Sequence, residues 1–159
     1  MTSSTPVSPS DGAQALSRGS RIFFVLIAVL ALAGMTVSAV SLQRHYAKST
    51  TAFCDFSQRF SCDIVNRSEY SSIMGIPVAG IGVAGYAALL ALSTFYRARI
   101  ETPLRLLAAA IAGLVFALYL TYVEAYVLET WCILCLISLS VISLISLLAA
   151  LVKLRAARA

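Results

Sequence analysis

The sequence predicts an all-α membrane protein, a four-transmembrane-helix bundle whose long first extracytoplasmic loop carries a short interfacial helix. Three observations predict it. With 60% hydrophobic and 12% charged residues in 159, and a mean hydropathy of +0.88, the chain is too apolar for an ordinary soluble domain. A membrane span needs roughly 20 apolar residues, and four stretches supply them, at 22–42, 76–96, 104–127 and 132–152. Finally, the basic residues gather at alternate ends of these stretches. Arg18 and Arg21 precede the first, Arg97, Arg99 and Arg105 lie between the second and third, and Lys153, Arg155 and Arg158 follow the fourth. Because Lys and Arg mark the cytoplasmic side, both termini are expected there. The formal net charge of +5 thus reads as membrane topology rather than nucleic-acid binding.

The domain limits follow in chain order. Residues 1–20, rich in Ser, Thr, Pro and Gly, are expected to be a disordered cytoplasmic tail. Residues 21–153 form the membrane domain and 154–159 a second short tail. Val37-Ser38-Ala39 loosely resembles a signal-peptide cleavage site, but the apolar stretch is longer than such peptides carry, so the first span reads as an uncleaved anchor. In the outer segment, Ile64, Val65, Tyr70 and Ile73-Met74 recur near helical spacing. They predict a short amphipathic helix at the interface that caps the bundle.

The second span opens at Gly75-Ile76-Pro77, with proline fitting a first helical turn. Gly80, Ala84 and Ala88 make a stripe of small residues that lets a neighbouring helix approach. Gly80 to Gly85 also spells the dinucleotide-binding G-x-G-x-x-G, with Glu101 at a suitable distance. No parallel βαβ unit is available to give that motif its meaning. In the third span Tyr119, Tyr122 and Tyr126 form an aromatic stripe, read either as an interfacial belt or as the lining of a ring-shaped ligand's site. Glu124 points away from that stripe. An acid within a span is a functional candidate by default, although this one, within two turns of the outer end, has a plainer reading as a carboxylate that reaches water.

The chemistry resides in the four cysteines, all at the outer face, where disulfides persist. Cys54 and Cys62 are separated by seven residues in the outer segment; Cys132 and Cys135 form a C-x-x-C opening the fourth span. Spacing of three places both sulfurs on one helical face, close enough to join or exchange. A thiolate in the first turn meets the positive end of the helix dipole, so Cys132 is the better nucleophile. Thr130 is the expected N-cap, and Glu129 beside the cysteines opposes the thiolate while complementing the dipole. Closing the small Cys54–Cys62 loop stabilises by only about 2.5 kcal/mol in the chain-entropy model, which favours a shuttle disulfide over a structural staple. Ser138, Ser140, Ser143 and Ser146 read as packing and back-bonding residues.

Four spans, a cysteine pair in the first outer segment and a C-x-x-C at the last helix together resemble the vitamin K epoxide reductase family, particularly its bacterial members. Cys62-Asp63-Ile64-Val65-Asn66-Arg67-Ser68-Glu69-Tyr70 followed by Met74-Gly75-Ile76-Pro77, and Trp131-Cys132-Ile133-Leu134-Cys135, carry the resemblance. It covers about 22–152. It implies a membrane oxidoreductase that relays electrons from a thioredoxin-fold, DsbA-like partner to a quinone, menaquinone or ubiquinone, in support of disulfide formation in exported proteins. By the same implication Cys62 receives electrons with Cys54 as its loop mate, Cys54 passes them to Cys132, and Cys135 faces the quinone. Ser68 becomes a hydrogen-bond donor to the developing quinol oxygen. The chain departs from animal members at Ser138-Leu139-Ser140, where a quinone-holding tyrosine is replaced by Leu139; Tyr122 and Tyr126 are the candidates to take its place. It ends at Ala159 without the thioredoxin-like domain fused to many bacterial members, so the partner is expected to be a separate protein in a bacterial inner membrane setting.

Three alternatives differ in kind. Free cysteine is often a buried small hydrophobe, but four clustered on one membrane face argue against that. Four thiolates could bind zinc, yet a seven-residue gap and a C-x-x-C inside an apolar helix are poorly spaced for it. The DsbB-like quinone-linked oxidases place their C-x-x-C in the first outer loop, whereas here it opens the last helix.

Overall fold

The computed structural model describes residues 9–46, 60–95 and 101–158, with side chains from Arg21 onward. Cys54 lies outside the described residues. Helix α1 runs Pro9–Tyr46, α2 Cys62–Arg67, α3 Val78–Thr94, α4 Thr102–Tyr126 and α5 Ile133–Arg158. A single 3₁₀ turn, Glu69–Ser71, and a ribbon of two two-residue strands, β1 (Ser72–Ile73) and β2 (Ile76–Pro77), connect α2 to α3.

Three helical segments are long and apolar enough to cross a membrane: Arg21–Tyr46, Thr102–Tyr126 and Ile133–Arg158, with mean hydropathies of 2.5, 2.2 and 2.7. The fourth, α3, has 17 residues, shorter than the expected 76–96. Two of the four residues it lacks are lost at its end, where Phe95 is the C-cap, and two at its start. Met74 and Gly75 both take left-handed backbone angles, φ 53° and 84°, the requirement of a tight hairpin turn. That turn pairs Ser72 with Pro77 and Ile73 with Ile76, so Ile76 and Pro77 are strand residues and Pro77 caps the helix from outside (φ −61°, ψ 131°).

Two further expectations change. The helix begins at Pro9 rather than at the span, taking in part of the segment expected to be a disordered tail. The interfacial helix is only six residues long, because Ser68 leaves it in an extended conformation (φ −65°, ψ 159°). Ile73 and Met74 consequently belong to the ribbon, and Met74 is almost fully exposed.

The four long helices form a ring in which α1 packs on α3 and α5, and α4 packs on α5 and α3. Phe24, Ile27, Ala31, Leu89, Leu106, Ala110, Ile145 and Ala149 fill one half of its interior. Apolar side chains also cover the outside, including Val25, Val29, Val115, Leu118, Leu144 and Leu147. In water such a surface would be an aggregation liability; against acyl chains it is the expected finish. At the end of the bundle where α1 crosses into this interior and α5 leaves it, the Arg155 guanidinium lies 4.5 Å from the ring centroid of Phe23, and Glu101 pairs with Arg105.

Close helix approach occurs, but not along the Gly80–Ala84–Ala88 stripe. A Cβ on Gly34 would meet the Tyr86 ring at 2.3 Å, and one on Gly82 would meet Ser38 Oγ at 2.8 Å. Thus α1 and α3 interlock through Gly34 and Gly82, whereas Gly80 has only Leu42 at 3.9 Å.

Candidate active site at the cysteine end of the bundle

At the opposite end from Arg155, the described cysteines converge. Cys62 and Cys132 are fully buried and share one apolar cluster with Leu134, packed against by Val37, Val65, Ile133 and Cys135. The loop is held there by main-chain pairing. Phe60 and Trp131 form a parallel bridge, and the Ser61 N–H donates to the Trp131 carbonyl at 3.2 Å. Ser61 also starts α2, its hydroxyl accepting from the Ile64 N–H at 3.3 Å, the usual service of an N-cap serine.

A second set of bonds fixes α2 to α1. The Asn66 amide donates to the Cys62 carbonyl at 2.9 Å and accepts from the Ser41 hydroxyl at 2.7 Å. His45 Nδ1–H donates to the Asn66 carbonyl at 2.6 Å. Cys62 is therefore held by its own helix, by the Trp131 main chain and by the end of α1. Its sulfur is engaged in a disulfide, whereas Cys132 and Cys135 are free thiols. A disulfide sulfur is no thiolate, so a four-thiolate zinc site does not describe this arrangement.

The C-x-x-C sits as its spacing suggests, with one difference in the capping. Helix α5 begins at Ile133, so Cys132 is the residue just outside it, and its carbonyl accepts from the Leu136 N–H at 3.1 Å. Thr130 instead bonds back across the turn, its N–H donating to the Glu124 carbonyl at 3.1 Å and its hydroxyl to the Leu128 carbonyl. Glu129, in a left-handed conformation (φ 49°), makes the reversal and stays exposed. The acid that faces the sulfurs is Glu124, eight residues upstream and only 1% exposed. Its Oε2 accepts the Cys132 backbone N–H at 3.1 Å. A Glu124 carboxylate oxygen and the sulfurs of Cys132 and Cys135 all lie within 4.8 Å of one another. Three donors, with no fourth from the described residues, fall one short of a closed tetrahedral metal site.

Cys132 is held below the ordinary thiol value. The hydrogen bond from the Cys135 thiol is the main cause, aided by the backbone N–H groups of Cys135 and Leu134, and together these outweigh burial and the nearby Glu124 charge. The more acidic thiol is the better exchange partner at neutral pH.

Cys135 borders a cavity of about 390 Å³ inside the ring of helices, within the size range of small-molecule sites. Its wall is mostly aliphatic and small, with Leu89, Ala109, Ala112, Phe116 and Leu134 among its residues. A Cβ added to Gly85, another wall residue, would meet nothing within 4 Å, so the missing side chain leaves open cavity. Polar side chains interrupt the wall, among them Ser38, Asn66, Glu124, Tyr86 and Ser138. The Tyr86 hydroxyl donates to the Ser138 carbonyl at 3.0 Å and lies 2.9 Å from the Ser138 hydroxyl, and both residues line the space. Slot, sulfur and hydroxyl pair fit a flat apolar ring bearing carbonyl oxygens.

Ser68 is on this wall, but its hydroxyl proton is committed to the Val65 carbonyl at 2.8 Å. Tyr122 and Tyr126 are not on it. They stand outside, 59% and 73% exposed, with their rings 4.9 Å apart. The structure does not bring them to this cavity, and their exposure suits an interfacial belt. The helix phase that turns Glu124 inward turns these two rings outward. Tyr86, Asn66, Ser41 and His45 went unassigned in the sequence; a lone aromatic among the small residues of α3 was the available signal for Tyr86. The other serines behave as expected, Ser140 and Ser143 bonding to their own helix and Ser146 bridging to the Ala110 carbonyl at 3.2 Å.

Apolar helices with a buried C-x-x-C over an internal cavity, and a disulfide-bearing loop packed on that pair, define a membrane oxidoreductase of the thiol–disulfide class. A model of the vitamin K epoxide reductase family matches residues 25–151. The chain belongs to that family, whose activity is generally quinone-linked.

Proposed function

We propose that this protein is a membrane thiol oxidase, a quinone reductase that relays electrons inward through two cysteine pairs. A reduced thioredoxin-fold, DsbA-like protein attacks Cys62 of the Cys54–Cys62 disulfide, leaving as its own disulfide and reducing the loop pair. Cys54 passes the two electrons to the Cys132–Cys135 disulfide by exchange, a reaction that needs an attacking thiolate and a good leaving thiol. Cys135, on the cavity wall, delivers them to a quinone, which supplies the two-electron acceptor chemistry. The Ser138 hydroxyl, held beside the Tyr86 hydroxyl on the cavity wall, orients the ring.

The bundle crosses the membrane four times, with α3 as a short span. Its arginine-rich end is cytoplasmic by the positive-inside bias, and its cysteine end faces the compartment where exported proteins acquire disulfides. A bacterial inner membrane, with menaquinone or ubiquinone as acceptor, is the setting.

The observation that carries this reading is the burial of Cys62 against Cys132, with Cys135 bordering the cavity beyond. It supports transfer from the loop couple to the C-x-x-C and on to the cavity. The test follows quinone reduction by a reduced thioredoxin-fold partner in purified wild type and in Cys54→Ala, Cys62→Ala, Cys132→Ala and Cys135→Ala. Turnover vanishes in Cys135→Ala; undiminished turnover there would sink the relay. Cys62→Ala loses activity with the protein partner and keeps it with dithiothreitol, and wild-type rates with the partner would remove its role as the receiving sulfur.

A further inference from the structure

Glu124 is the one buried acid among the described residues, and the relay above gives it no part. Its Oε2 is accounted for by the Cys132 N–H. Its Oε1 is buried without a hydrogen-bond partner among the described residues, although Glu124, like Cys135, lines the cavity. An unpaired buried polar atom is destabilising, and holding Cys132 in place requires only the other oxygen. The remaining ionisable groups on the wall besides Cys135 are His45, Tyr70 and Tyr86. His45 and Tyr86 already donate to backbone carbonyls, and Tyr70 is half-exposed. Among the described residues, only Glu124 combines an open atom with a carboxylate within 4.8 Å of both free sulfurs.

Resting on the quinone-linked reading, we infer that Glu124 is the proton-carrying residue of the Cys132–Cys135 pair, taking a thiol proton at Oε1 and handing it across the cavity wall to a quinone oxygen. The balance is complete. Two S–H bonds break, one S–S bond forms, and two electrons pass from the sulfurs to the quinone, which gains two protons. Glu124 carries the proton leaving Cys135 Sγ to one ring oxygen and ends as the carboxylate it began as. The proton leaving Cys132 is matched by one taken up at the second ring oxygen.

Glu124→Gln separates this role from positioning, since the amide oxygen still accepts the Cys132 N–H. The variant is expected to keep the wild-type unfolding temperature and to form the Cys132–Cys135 disulfide with oxidised dithiothreitol, while kcat for quinone reduction falls on the order of 100-fold or more. A second readout needs neither quinone nor variant. Infrared difference spectra of quinone-free wild type, with the pair oxidised by ferricyanide, should show a buried carboxyl changing its protonation, and the band should be missing from Glu124→Gln. A wild type without that band, or a Glu124→Gln protein within threefold of wild-type kcat, overturns the inference. A wild type that shows the band yet never reduces a quinone retains the proton role and overturns only the choice of acceptor. Should Glu124→Gln fail to fold, the wild-type band decides alone.

Discussion

The Ser61 N–H donates to the Trp131 carbonyl at 3.2 Å, and this bond sews the cysteine-bearing loop to the segment that delivers the C-x-x-C. Ser61 has a second job in its hydroxyl, which caps α2. The two can be separated. Ser61→Ala should lose about 1 kcal/mol of stability and keep most partner-driven turnover. Ser61→Pro removes the N–H and imposes a φ near −65° where the chain holds −143°. Its partner-driven turnover should fall at least about tenfold, with dithiothreitol-driven quinone reduction largely spared. Stopped-flow quinone reduction with each donor makes the comparison.

Asn66 is the knot between α1 and α2, accepting from Ser41 and donating to the Cys62 carbonyl. Asn66→Ala leaves the Ser41 hydroxyl unpaired in a buried place and removes the side-chain bond to the Cys62 carbonyl, at a cost of about 1–3 kcal/mol. Thermal unfolding in detergent should register the loss, and alkylation after mild reduction should show Cys62 more accessible than in wild type. Unchanged accessibility would mean that the Trp131 pairing alone positions the loop.

Gly85 offers a way to fill the cavity without disturbing the packing, since nothing lies within 4 Å of a Cβ built there. Gly85→Val should raise KM for the quinone or abolish its reduction. Exchange between the partner and the cysteines, followed by the redox state of the partner, should persist. If quinone kinetics are unaffected, the acceptor binds elsewhere.

Gly34 makes the opposite case. A Cβ there would sit 2.3–2.6 Å from three ring atoms of Tyr86, and Tyr86 is buried with its hydroxyl tied to Ser138. Gly34→Ala should destabilise by about 1–3 kcal/mol through overpacking and push the ring into the cavity, lowering quinone affinity. Tyr86→Phe removes only the Ser138 bonds and should cost about 1 kcal/mol. Calorimetric or fluorescence unfolding of the two variants checks the order.

Much of this was legible in the residues, because lipid leaves a helix few options. Three apolar stretches became long helices, and Trp131-Cys132-Ile133-Leu134-Cys135 announced the redox pair. The errors arose where local geometry overrides pattern. Pro77 reads as a first helical turn, but the left-handed Met74–Gly75 turn draws Ile76 and Pro77 into a ribbon. Glu129 lies nearer the cysteines in sequence, yet its left-handed backbone makes it the outside of a reversal that presents Glu124 instead. Tyr122 and Tyr126 face outward, away from the cavity that Glu124 lines. Gly82 and Gly34 rather than Gly80 admit the neighbouring helix, a matter of rotation about the axis that one sequence does not fix.

The central claim is that the loop couple and the C-x-x-C are neighbours, and cross-linking tests it most directly. In a Cys54→Ala, Cys135→Ala double variant, Cys62 and Cys132 are the only sulfurs of cysteine left. Mild oxidation in membranes should join them within one chain, detected as a two-hydrogen mass loss and a linked peptide containing both residues. Quantitative alkylation of two separate thiols under the same oxidation would contradict the account.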